Sequence, residues 1–458
     1  MKLVEKHAEV DKFIKKFVNL ENQGCKDSVE ILNALITGKI ALEKPSPNKI
    51  NEQLVTGPSK ATFYRRIHEL AAKMPEHVLK ILGRLQEDPA MAMKPQGVIS
   101  IDEHIIPHSS KKIEGVGYFY STTRGDVALG MSLISSHYFG DNLEYPLLHD
   151  FFRKQDELEA RGMADQYRPK NQVVRDMIEK LCSFSTCPDL FLFDSFFMTR
   201  DNARLLKRLG RNYISRPKRS WYGTWQGCRQ SLGDIFDRIP AEDFKVTAVR
   251  NRKTGKTKYY MTATLDIFFK GLGTNRVIFI DVDRKLDANG KPVATDGDKQ
   301  DDDKSCKKDM VKDGEPLLDE RDVNESPLKR KFIVYICSNL EWDASKILST
   351  YTLRWTIETC YRDLSQNIGL HGCQWRDAAG QHCFVGLSFI CYWFLQWARR
   401  HGILSRYGSD IRTLGSLKRA FIHYCQDEFY SWLSELRCCC GSCRLALFLE
   451  QHVFTGLG

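Results

Sequence analysis

Apolar residues recur along this chain in two patterns, short continuous runs and helical periodicities. The short runs predict β-strands at residues 97–102 (GVISID), 117–122 (GYFYST), 127–135 (VALGMSLIS), 189–194 (DLFLFD) and 332–337 (FIVYIC). Helical patterns occur at residues 147–158, 172–181 and 200–209. Three strands, then helices, then a further strand and helix predict an α/β layered sheet.

The segment at residues 351–370 (YTLRWTIETCYRDLSQNIGL) predicts a helix with a polar stripe. At roughly 100° per residue, the offsets of 3 and 7 bring Tyr351, Arg354 and Glu358 within about 60° of one another. Apolar residues on the other faces allow the helix to pack while the stripe stays accessible. An arginine and a carboxylate one turn apart also form ordinary surface ion pairs, so the stripe alone does not establish a site.

The spacing of this stripe resembles the signature Tyr-x2-Arg-x3-Glu-x6-Lys of bacterial insertion-sequence transposases, which have an Asp-Asp-Glu (DDE) active site on a ribonuclease H-like fold. Tyr351, Arg354 and Glu358 stand at the right intervals, and Ser365 stands where the family has its lysine. That departure affects one phosphate contact and leaves the acid in place. The resemblance implies an α/β fold class: a ribonuclease H-like catalytic domain, a β-rich insertion between the second Asp and the Glu, and helical N- and C-terminal regions.

The resemblance also requires two aspartates upstream, each at the end of a buried strand. The runs at 97–102 and 189–194 end in Asp102 and Asp194. An aspartate after a strand is also a common turn or cap residue. Glu103 competes with Asp102, because one residue of register turns a strand side chain to the other face. We favour Asp102 because it closes its apolar run as Asp194 does.

The resemblance implies that Asp102, Asp194 and Glu358 hold two Mg²⁺ ions, for which Mn²⁺ can substitute. Burying three carboxylates without cations is costly, which ties the metal to the site. The expected reaction is cleavage of insertion-sequence ends by water, then attack of the freed 3′-hydroxyl on target DNA. Tyr351 and Arg354 would hold phosphates beside the scissile bond. Two alternatives stay open: a transposase-derived DNA-binding protein without catalysis, and a metal-dependent DNA nuclease without strand transfer.

Positive charge is concentrated in one region of the chain. The net charge is +10, and residues 201–260 hold fifteen Lys and Arg against five Asp and Glu. Such a surplus favours a polyanionic partner. Because basic groups neutralise phosphates and aromatic rings stack on bases, we expect DNA contacts from Arg216, Lys218, Arg219, Trp221 and Trp225. By resemblance, Arg216 ends a DNA-contacting strand and the tryptophans stack on an extruded base. Packing beneath the β insertion is an equally good explanation for the tryptophans.

Residues 50–72 predict two helices joined by a Gly-Pro turn. This is the form of a helix-turn-helix reader, whose second helix enters the major groove. The second helix would begin near Ser59 and offer Lys60, Arg65 and Arg66 to DNA. An ordinary amphipathic pair capped by Ser59 is the alternative.

The predicted organisation alternates core and accessory regions. It comprises a helical DNA-binding region at 1–95, the core at 96–216, a β-rich insertion at 217–330, the rest of the core at 331–370 and a helical region at 371–458. Within the insertion, residues 244–282 alternate strand and turn patterns. Residues 283–329 are rich in Asp, Lys and Glu and predict a disordered loop.

The fifteen cysteines are expected to be free thiols. The charged N-terminus lacks the apolar core of a signal peptide, so we expect a cytoplasmic, nucleoid-associated protein, and disulfides are rare there. Cys438, Cys439, Cys440 and Cys443, with His423 and Cys425 upstream, offer a weaker zinc alternative. The apolar stretch at 384–398 is shorter than the roughly twenty residues of a membrane span. The expected partner is double-stranded DNA, as terminal inverted repeats and as target, bound by a homodimer without a membrane.

Overall fold

The computed structural model describes residues 3, 7–18, 26–43, 45–54, 58–121, 125–251, 254–291, 323–408 and 411–449, with backbone only at 26–28, 121 and 436–449. The chain divides into two compact units. Unit 1 comprises Met1–Gly97, Ile101–Pro188 and Thr356–Gly458. Unit 2 comprises Val98–Ser100 and Asp189–Trp355.

Helices and strands alternate through the middle of the chain, and helices dominate both ends. The α-helices are α1 Ala8–Phe17, α2 Lys26–Ala41, α3 Pro47–Gln53, α4 Lys60–Leu85, α5 Gln155–Ala160, α6 Lys170–Cys182, α7 Arg200–Arg208, α8 Leu232–Arg238, α9 Ala344–Tyr351, α10 Trp355–Asp363, α11 Ala378–Arg400 and α12 Leu414–Leu449. The strands are β1 Val98–Pro107, β2 Gly117–Ser121, β3 Asp126–Gly140, β4 Leu143–Phe152, β5 Leu190–Phe193, β6 Asn212–Ser215, β7 Tyr222–Trp225, β8 Cys228–Ser231, β9 Lys245–Arg250, β10 Thr257–Phe269, β11 Gly273–Asp281, β12 Asn324–Glu325 and β13 Lys331–Cys337.

The sheet of unit 1 is built around the long strand β3. β2 and β4 both pair antiparallel with β3, and β1 is its neighbour on the other side. β4 corrects the sequence prediction of a helix at 147–158, of which only α5 is helical. The reason is a tight turn at Asp141 and Asn142, whose φ angles of 49° and 57° suit a two-residue hairpin. Tertiary pairing with β3 outweighs the helical pattern of the following residues.

Helix α11 is the core helix of unit 1. Its side chains from Gly380 to Ala398 are buried, and it packs against α2, α4, α12 and β4. Trp393 Nε1 donates to the carbonyl of Pro146 at 2.7 Å, which satisfies the one polar atom of the ring. By length and composition α11 is apolar enough to cross a membrane, but 78% of its most apolar window is buried inside the protein. Core helices of soluble proteins have the same composition.

The sheet of unit 2 begins with the first residues of β1 and continues through β5, β6, β13, β11, β10, β7 and β8. β5 and β6 are parallel. Such a pair needs a crossover connection, and α7 supplies it, as the helical pattern at 200–209 predicted. Strands β9, β10 and β11 form an antiparallel meander within the predicted strand region 244–282. The carboxyl end of β5 therefore lies beside that of β6, where the chain turns into polar segments.

The acidic and basic segment at 283–329 has defined structure at both ends. After β11, Arg284 lies 3.3 Å from the carboxylate of Asp281, and Asp287 accepts the N–H groups of Asn289 and Lys291 at 2.8 Å. Before β13, the short strand β12 pairs with it. The prediction of disorder at 283–329 is therefore wrong at 283–291 and 323–329, and the rest of it, residues 292–322, lies outside the described residues.

Candidate active site

Asp194 directly follows strand β5 in unit 2. Its Oδ1 accepts the backbone N–H groups of Phe196 at 3.0 Å and Phe197 at 2.9 Å. Ser215 Oγ donates to the backbone carbonyls of both Phe193 and Asp194 at 3.0 Å. The carboxylate is half-buried. The turn after β5 thus orients Asp194 before any ligand is present.

Tyr351 lies beneath the strand that precedes Asp194. Its hydroxyl donates to the carbonyl of Phe193 at 2.9 Å, and its ring packs edge-on against Tyr335 at 4.9 Å between centroids. Only 4% of Tyr351 is exposed, so the prediction of an accessible side chain is wrong for this residue. Burial raises the pKa of the Tyr351 hydroxyl, which therefore remains a protonated donor.

Two buried arginines accompany Tyr351 in unit 2. Arg216, directly after β6, is 5% exposed, and Arg354 is 6% exposed. The Arg216 guanidinium lies 5.7 Å from the centroid of the Tyr335 ring. The charges of both arginines, and that of Asp194, act on the pKa of Tyr351. Two buried cations and one acid therefore act together on the Tyr351 hydroxyl.

Glu358 lies on a helical segment that is longer and less regular than the sequence predicted. The segment begins at Ala344 and consists of α9, a 3₁₀ turn at Thr352–Arg354, α10 and a π turn at Leu364–Ile368. A 3₁₀ turn has about three residues per turn, so the angles counted at 100° per residue do not apply across it. Glu358 is half-buried and keeps an accessible surface.

Asp102 lies inside strand β1 of unit 1, and this corrects the prediction that the strand ends there. The strand continues to Pro107, and His108 N–H still donates to the carbonyl of Leu129 on β3 at 3.1 Å. Backbone pairing extends beyond the apolar run because the ladder does not depend on side-chain polarity. Tyr361, on α10, donates its hydroxyl to the backbone carbonyl of Asp102 at 2.9 Å. This bond joins the strand of Asp102 to the helix of Glu358.

Glu103, the competing acid, has a different environment. Lys170 Nζ lies 2.5 Å and 2.6 Å from its two carboxylate oxygens, and Ser132 Oγ donates to it at 2.5 Å. The ion pair is about one-fifth exposed on each side. The Glu103 carboxylate therefore has structural partners within unit 1, an ammonium group and a hydroxyl.

A chain of polar rings begins two residues after Asp102. His104 stacks on Tyr361 with 4.6 Å between ring centroids and on His371 with 5.3 Å. The Nε2 atoms of the two histidines are 3.0 Å apart, and Ser365 Oγ lies 3.1 Å from His371 Nε2. Burial, followed by the charge of His371, lowers the pKa of His104 to about 4. His104 is therefore neutral at physiological pH.

An aromatic and basic cavity of about 440 Å³ opens next to Asp194 in unit 2. Its walls include Phe196, Arg200, Lys218 and Trp221. Phe196 and Lys218 are exposed, and Trp221 is half-buried against Phe269 at 5.9 Å. The Arg200 guanidinium lies 6.0 Å from the Trp221 ring. The cavity thus has the positive charge and stacking surfaces that an unpaired nucleotide needs.

The other predicted DNA contacts on this surface have separate settings. Arg219 is exposed, and its guanidinium donates to the carbonyl of Glu325. Trp225 ends β7, pairs with Cys228 across the hairpin and is half-buried. Trp225 is therefore not among the residues that line the Trp221 cavity.

The predicted helix pair of the N-terminal region corresponds to α3 and α4. Ser59 caps α4 by accepting the N–H of Thr62 at 3.3 Å. Lys60 and Arg65 are exposed and Arg66 is half-buried, on the first two turns of the helix. Helix α4 runs for 26 residues, because its apolar face from Phe63 onward packs against other helices of unit 1. The turn residues 55–57 lie outside the described residues.

The acids and the cysteines are the two candidate places for a metal ion. Across the described ranges, no three His, Cys, Asp or Glu side chains are grouped closely enough to hold a metal ion. Asp102 and Glu358 belong to unit 1 and Asp194 to unit 2. The side chains of Cys438, Cys439, Cys440 and Cys443 lie outside the described residues, whereas Cys425 is a buried free thiol.

Several residues of the site have no signal in the sequence. His104 and His371 are 267 positions apart, and Tyr361 is 259 positions from Asp102. Single histidines and tyrosines in amphipathic segments are commonplace. One available signal was the exposed Phe196, an apolar residue two positions after the DLFLFD run. An exposed aromatic beside a candidate acid indicates a binding surface.

Comparison with protein families identifies the class. Residues 165–394 match the model described as Transposase DDE domain, and residues 41–226 match the model described as DDE superfamily endonuclease. The chain therefore belongs to the DDE transposase family. Both matched regions include Asp194, the first includes Glu358 and the second includes Asp102. The search of curated proteins gave no significant match.

Proposed function

We propose that this protein is a DNA transposase that cuts the ends of a bacterial insertion sequence and joins them to target DNA, with Asp102, Asp194 and Glu358 as its acids. One observation carries the proposal. Tyr351 and Tyr361 lie on the helical segment that bears Glu358, and their hydroxyls donate to the strand before Asp194 and to the backbone of Asp102. Each aspartate is thereby fixed by a tyrosine from that segment.

The choice of Asp102 over Glu103 is supported by the environment of each carboxylate. Glu103 is held by Lys170 and Ser132. Asp102 Oδ1 accepts the backbone N–H of Glu103 at 2.8 Å, and the Asp102 carbonyl accepts the hydroxyl of Tyr361 at 2.9 Å. A carboxylate oriented by the main chain is suited to binding a ligand.

Carboxylate oxygens are the ligands that Mg²⁺ prefers, so the donor chemistry of Asp102, Asp194 and Glu358 fits the metal of this superfamily. When bound, two such ions would lower the pKa of an attacking water and stabilise the leaving oxygen. The protein's own contribution is orientation: the turn after β5 aims Asp194, and the bond from Tyr361 fixes the backbone of Asp102. The buried Arg216 and Arg354 act electrostatically on Tyr351, whose hydroxyl holds the strand before Asp194.

The DNA would be bound by surfaces on both units. In unit 2, Lys218 and Arg219 offer cations for phosphates, and Trp221 offers a ring for an extruded base. In unit 1, Lys60, Arg65 and Arg66 at the start of α4 would read the terminal inverted repeat. We propose a homodimer on paired ends, acting in the cytoplasm at the nucleoid.

The test uses the full chain, Mg²⁺, a labelled duplex of the inverted repeat that flanks the gene, and a target plasmid. Joined product supports the transposase. Cleavage without joining identifies a nuclease without strand transfer, and a mobility shift without cleavage identifies a transposase-derived binding protein. The matched control is the same reaction with EDTA, in which joining is expected to disappear and binding to remain.

A further inference from the structure

Two of the described cysteines lie side by side at the end of α6. Cys182 is the last residue of the helix, and Cys187 follows it after a four-residue turn. Their sulfur atoms are 4.0 Å apart, which is direct contact between two side chains. Both cysteines are free thiols. The pair therefore stands one bond-forming reaction away from a disulfide.

Hydrogen bonds hold the turn that brings the two sulfurs together. Phe184 N–H donates to the carbonyl of Leu181 at 3.2 Å, and Cys187 N–H donates to the carbonyl of Phe184 at 3.0 Å. Inside the turn, the hydroxyl of Thr186 donates to Oε1 of Gln86, the C-cap residue of α4, at 2.9 Å. The contact between the sulfurs is therefore a property of the folded turn, and a short separation in sequence alone does not explain it.

The two thiols differ in their access to solvent. Cys182 is half-buried and keeps an accessible surface, whereas Cys187 is 1% exposed and its sulfur also lies 3.6 Å from the carbonyl of Pro188. An oxidant in solution therefore reaches Cys182 first. A disulfide has an S–S bond of about 2.05 Å, so the sulfurs must approach each other by about 2 Å. A change in the side-chain torsion of Cys182 moves its sulfur by a distance of this size.

We propose that Cys182 and Cys187 form an oxidative modification site, a dithiol that hydrogen peroxide converts to an intramolecular disulfide. In the first step the Cys182 sulfur attacks the peroxide and the O–O bond breaks. One oxygen stays on sulfur as a sulfenic acid, and the other leaves as water. In the second step the Cys187 thiol attacks the Cys182 sulfur, the S–O bond breaks and a second water leaves. Two thiols thus lose two electrons and two protons, and one peroxide is reduced to two waters.

The disulfide would close where the chain passes from one unit to the other. Pro188 ends its segment of unit 1, and Asp189 opens the segment of unit 2 that continues into β5 and Asp194. The bond would tie the end of α6 to the residue before Pro188. Disulfides in a reducing compartment are mostly transient and redox-sensing, so the dithiol is the resting state. The inference does not depend on the roles proposed for the acids.

The experiment treats the full chain with hydrogen peroxide, blocks the remaining thiols with iodoacetamide and maps tryptic peptides by mass. Cleavage after Lys180 and Arg200 places both cysteines on one peptide, residues 181–200, which contains no other cysteine. This peptide is expected to lose both alkylated thiols and to weigh two hydrogen atoms less than the reduced peptide. Treatment with dithiothreitol should restore both thiols. Cys228, an exposed thiol on β8, controls the dose, because the peroxide is raised until Cys228 is oxidised.

Two variants separate the roles of the sulfurs. In Cys187→Ala, dimedone should trap a sulfenic acid on Cys182, because the second thiol is missing. In Cys182→Ser, the buried Cys187 should remain reduced at the same dose. Thermal unfolding checks that both variants are folded, and the wild-type peptide map decides the inference without them.

Three results would overturn the inference. The first is a peptide 181–200 with two alkylated thiols after Cys228 has been oxidised. The second is a sulfonic acid on this peptide in place of the disulfide, and the third is a disulfide from Cys182 or Cys187 to another cysteine. Each of these results leaves the proposed function as it stands, because no DNA is involved in the measurement.

Discussion

Asp102 and Asp194 are held by similar bonds in different electrostatic surroundings. At each aspartate a buried tyrosine donates to a backbone carbonyl, from Tyr361 in unit 1 and from Tyr351 in unit 2. In unit 2, two buried arginines act on Tyr351 together with Asp194. Around Asp102 the neighbouring rings are Tyr361 and a neutral His104.

The difference separates two tasks of an active site. A backbone hydrogen bond fixes where a carboxylate stands, and it does so equally well in both units. Nearby cations favour the ionised form of a carboxylate, and Arg216 and Arg354 act on the same Tyr351 hydroxyl as Asp194 does. The tyrosine hydroxyls and the arginine charges are therefore separate contributions, which separate mutations can test.

The largest effect is expected at Glu358, the third acid of the proposed active site. Glu358→Gln keeps the shape of the side chain and removes its charge, so cleavage should fall at least about 10³-fold. Binding of the inverted-repeat duplex should change little, because that affinity comes mainly from phosphate contacts. Single-turnover cleavage and anisotropy measure the two. Retained cleavage would show that Glu358 is not a catalytic acid. The comparison of Asp102 with Asp194 as its partners would then lose its basis.

Unit 1 also contains a buried cation, Lys39, whose surroundings can be compared with those of the buried arginines of unit 2. Lys39 is 1% exposed, its Nζ lies 3.3 Å from the centroid of the Phe384 ring, and among the described residues this Nζ has no hydrogen-bond partner. Burial lowers its pKa from 10.5 to about 8. The nearby thiols, Cys373, Cys383 and Cys391, have pKa values raised by burial and stay neutral at this pH.

The sign follows from these two pKa values of Lys39. Between pH 8 and pH 10.5 the unfolded chain binds this proton and the folded chain does not, so stability rises with pH across that window. Lys39→Met should raise the free energy of unfolding at pH 7 by roughly 3 kcal/mol and abolish the rise. Urea unfolding at pH 7 and pH 9.5 measures both. The control is Lys12→Met, whose side chain is 65% exposed, and a loss of stability in Lys39→Met would contradict the expectation.

A smaller effect distinguishes the two aspartates directly. Asp194→Asn removes an anion near Arg216 and Arg354, so the protein should lose about 2 kcal/mol of stability, less than a fully buried pair because Asp194 is half-buried. Asp102→Asn should lose less than about 1 kcal/mol, since its backbone bonds remain. Both should abolish cleavage. Thermal unfolding of the two variants measures the difference. Equal losses of stability would show that Arg216 and Arg354 do not depend on the charge of Asp194.

The smallest effects concern the tyrosine hydroxyls. Tyr351→Phe and Tyr361→Phe each remove one donor to a backbone carbonyl and keep the ring, so each should cost about 1 kcal/mol of stability. The cleavage rate should fall in both, because the backbone of the aspartate is less well fixed. Binding of DNA should not change. A variant with wild-type cleavage would show that its tyrosine serves packing alone.

Sequence reasoning located the elements of the site better than their ends. The strands before Asp194 and at 332–337 and the helix at 200–209 correspond to β5, β13 and α7, because apolar runs and caps are local signals. Strand β4 was assigned as helix, since its pairing with β3 is a tertiary effect. The strand at Asp102 was ended too early, because charged side chains do not interrupt backbone pairing.

The surroundings of the acids were harder to predict for a different reason. The bonds of Tyr351 and Tyr361 join residues 158 and 259 positions apart. Whether a tyrosine in a signature faces solvent or the core depends on packing that a helical count does not contain. The counted angles themselves were valid only for a uniform helix, and this one changes its winding twice.

That change of winding, a tight turn before α10 and a wide one after it, bears on how a signature should be compared between chains. Counting residues measures distance along the chain, whereas contact with a ligand depends on the direction of each side chain around the helix axis. The π turn at Leu364–Ile368 absorbs extra residues per revolution. A chain with the same spacing but a regular helix would therefore present its later side chains in different directions around the helix axis. A substitution at a position matched by spacing alone therefore does not show which contact is lost until the directions of the side chains have been compared.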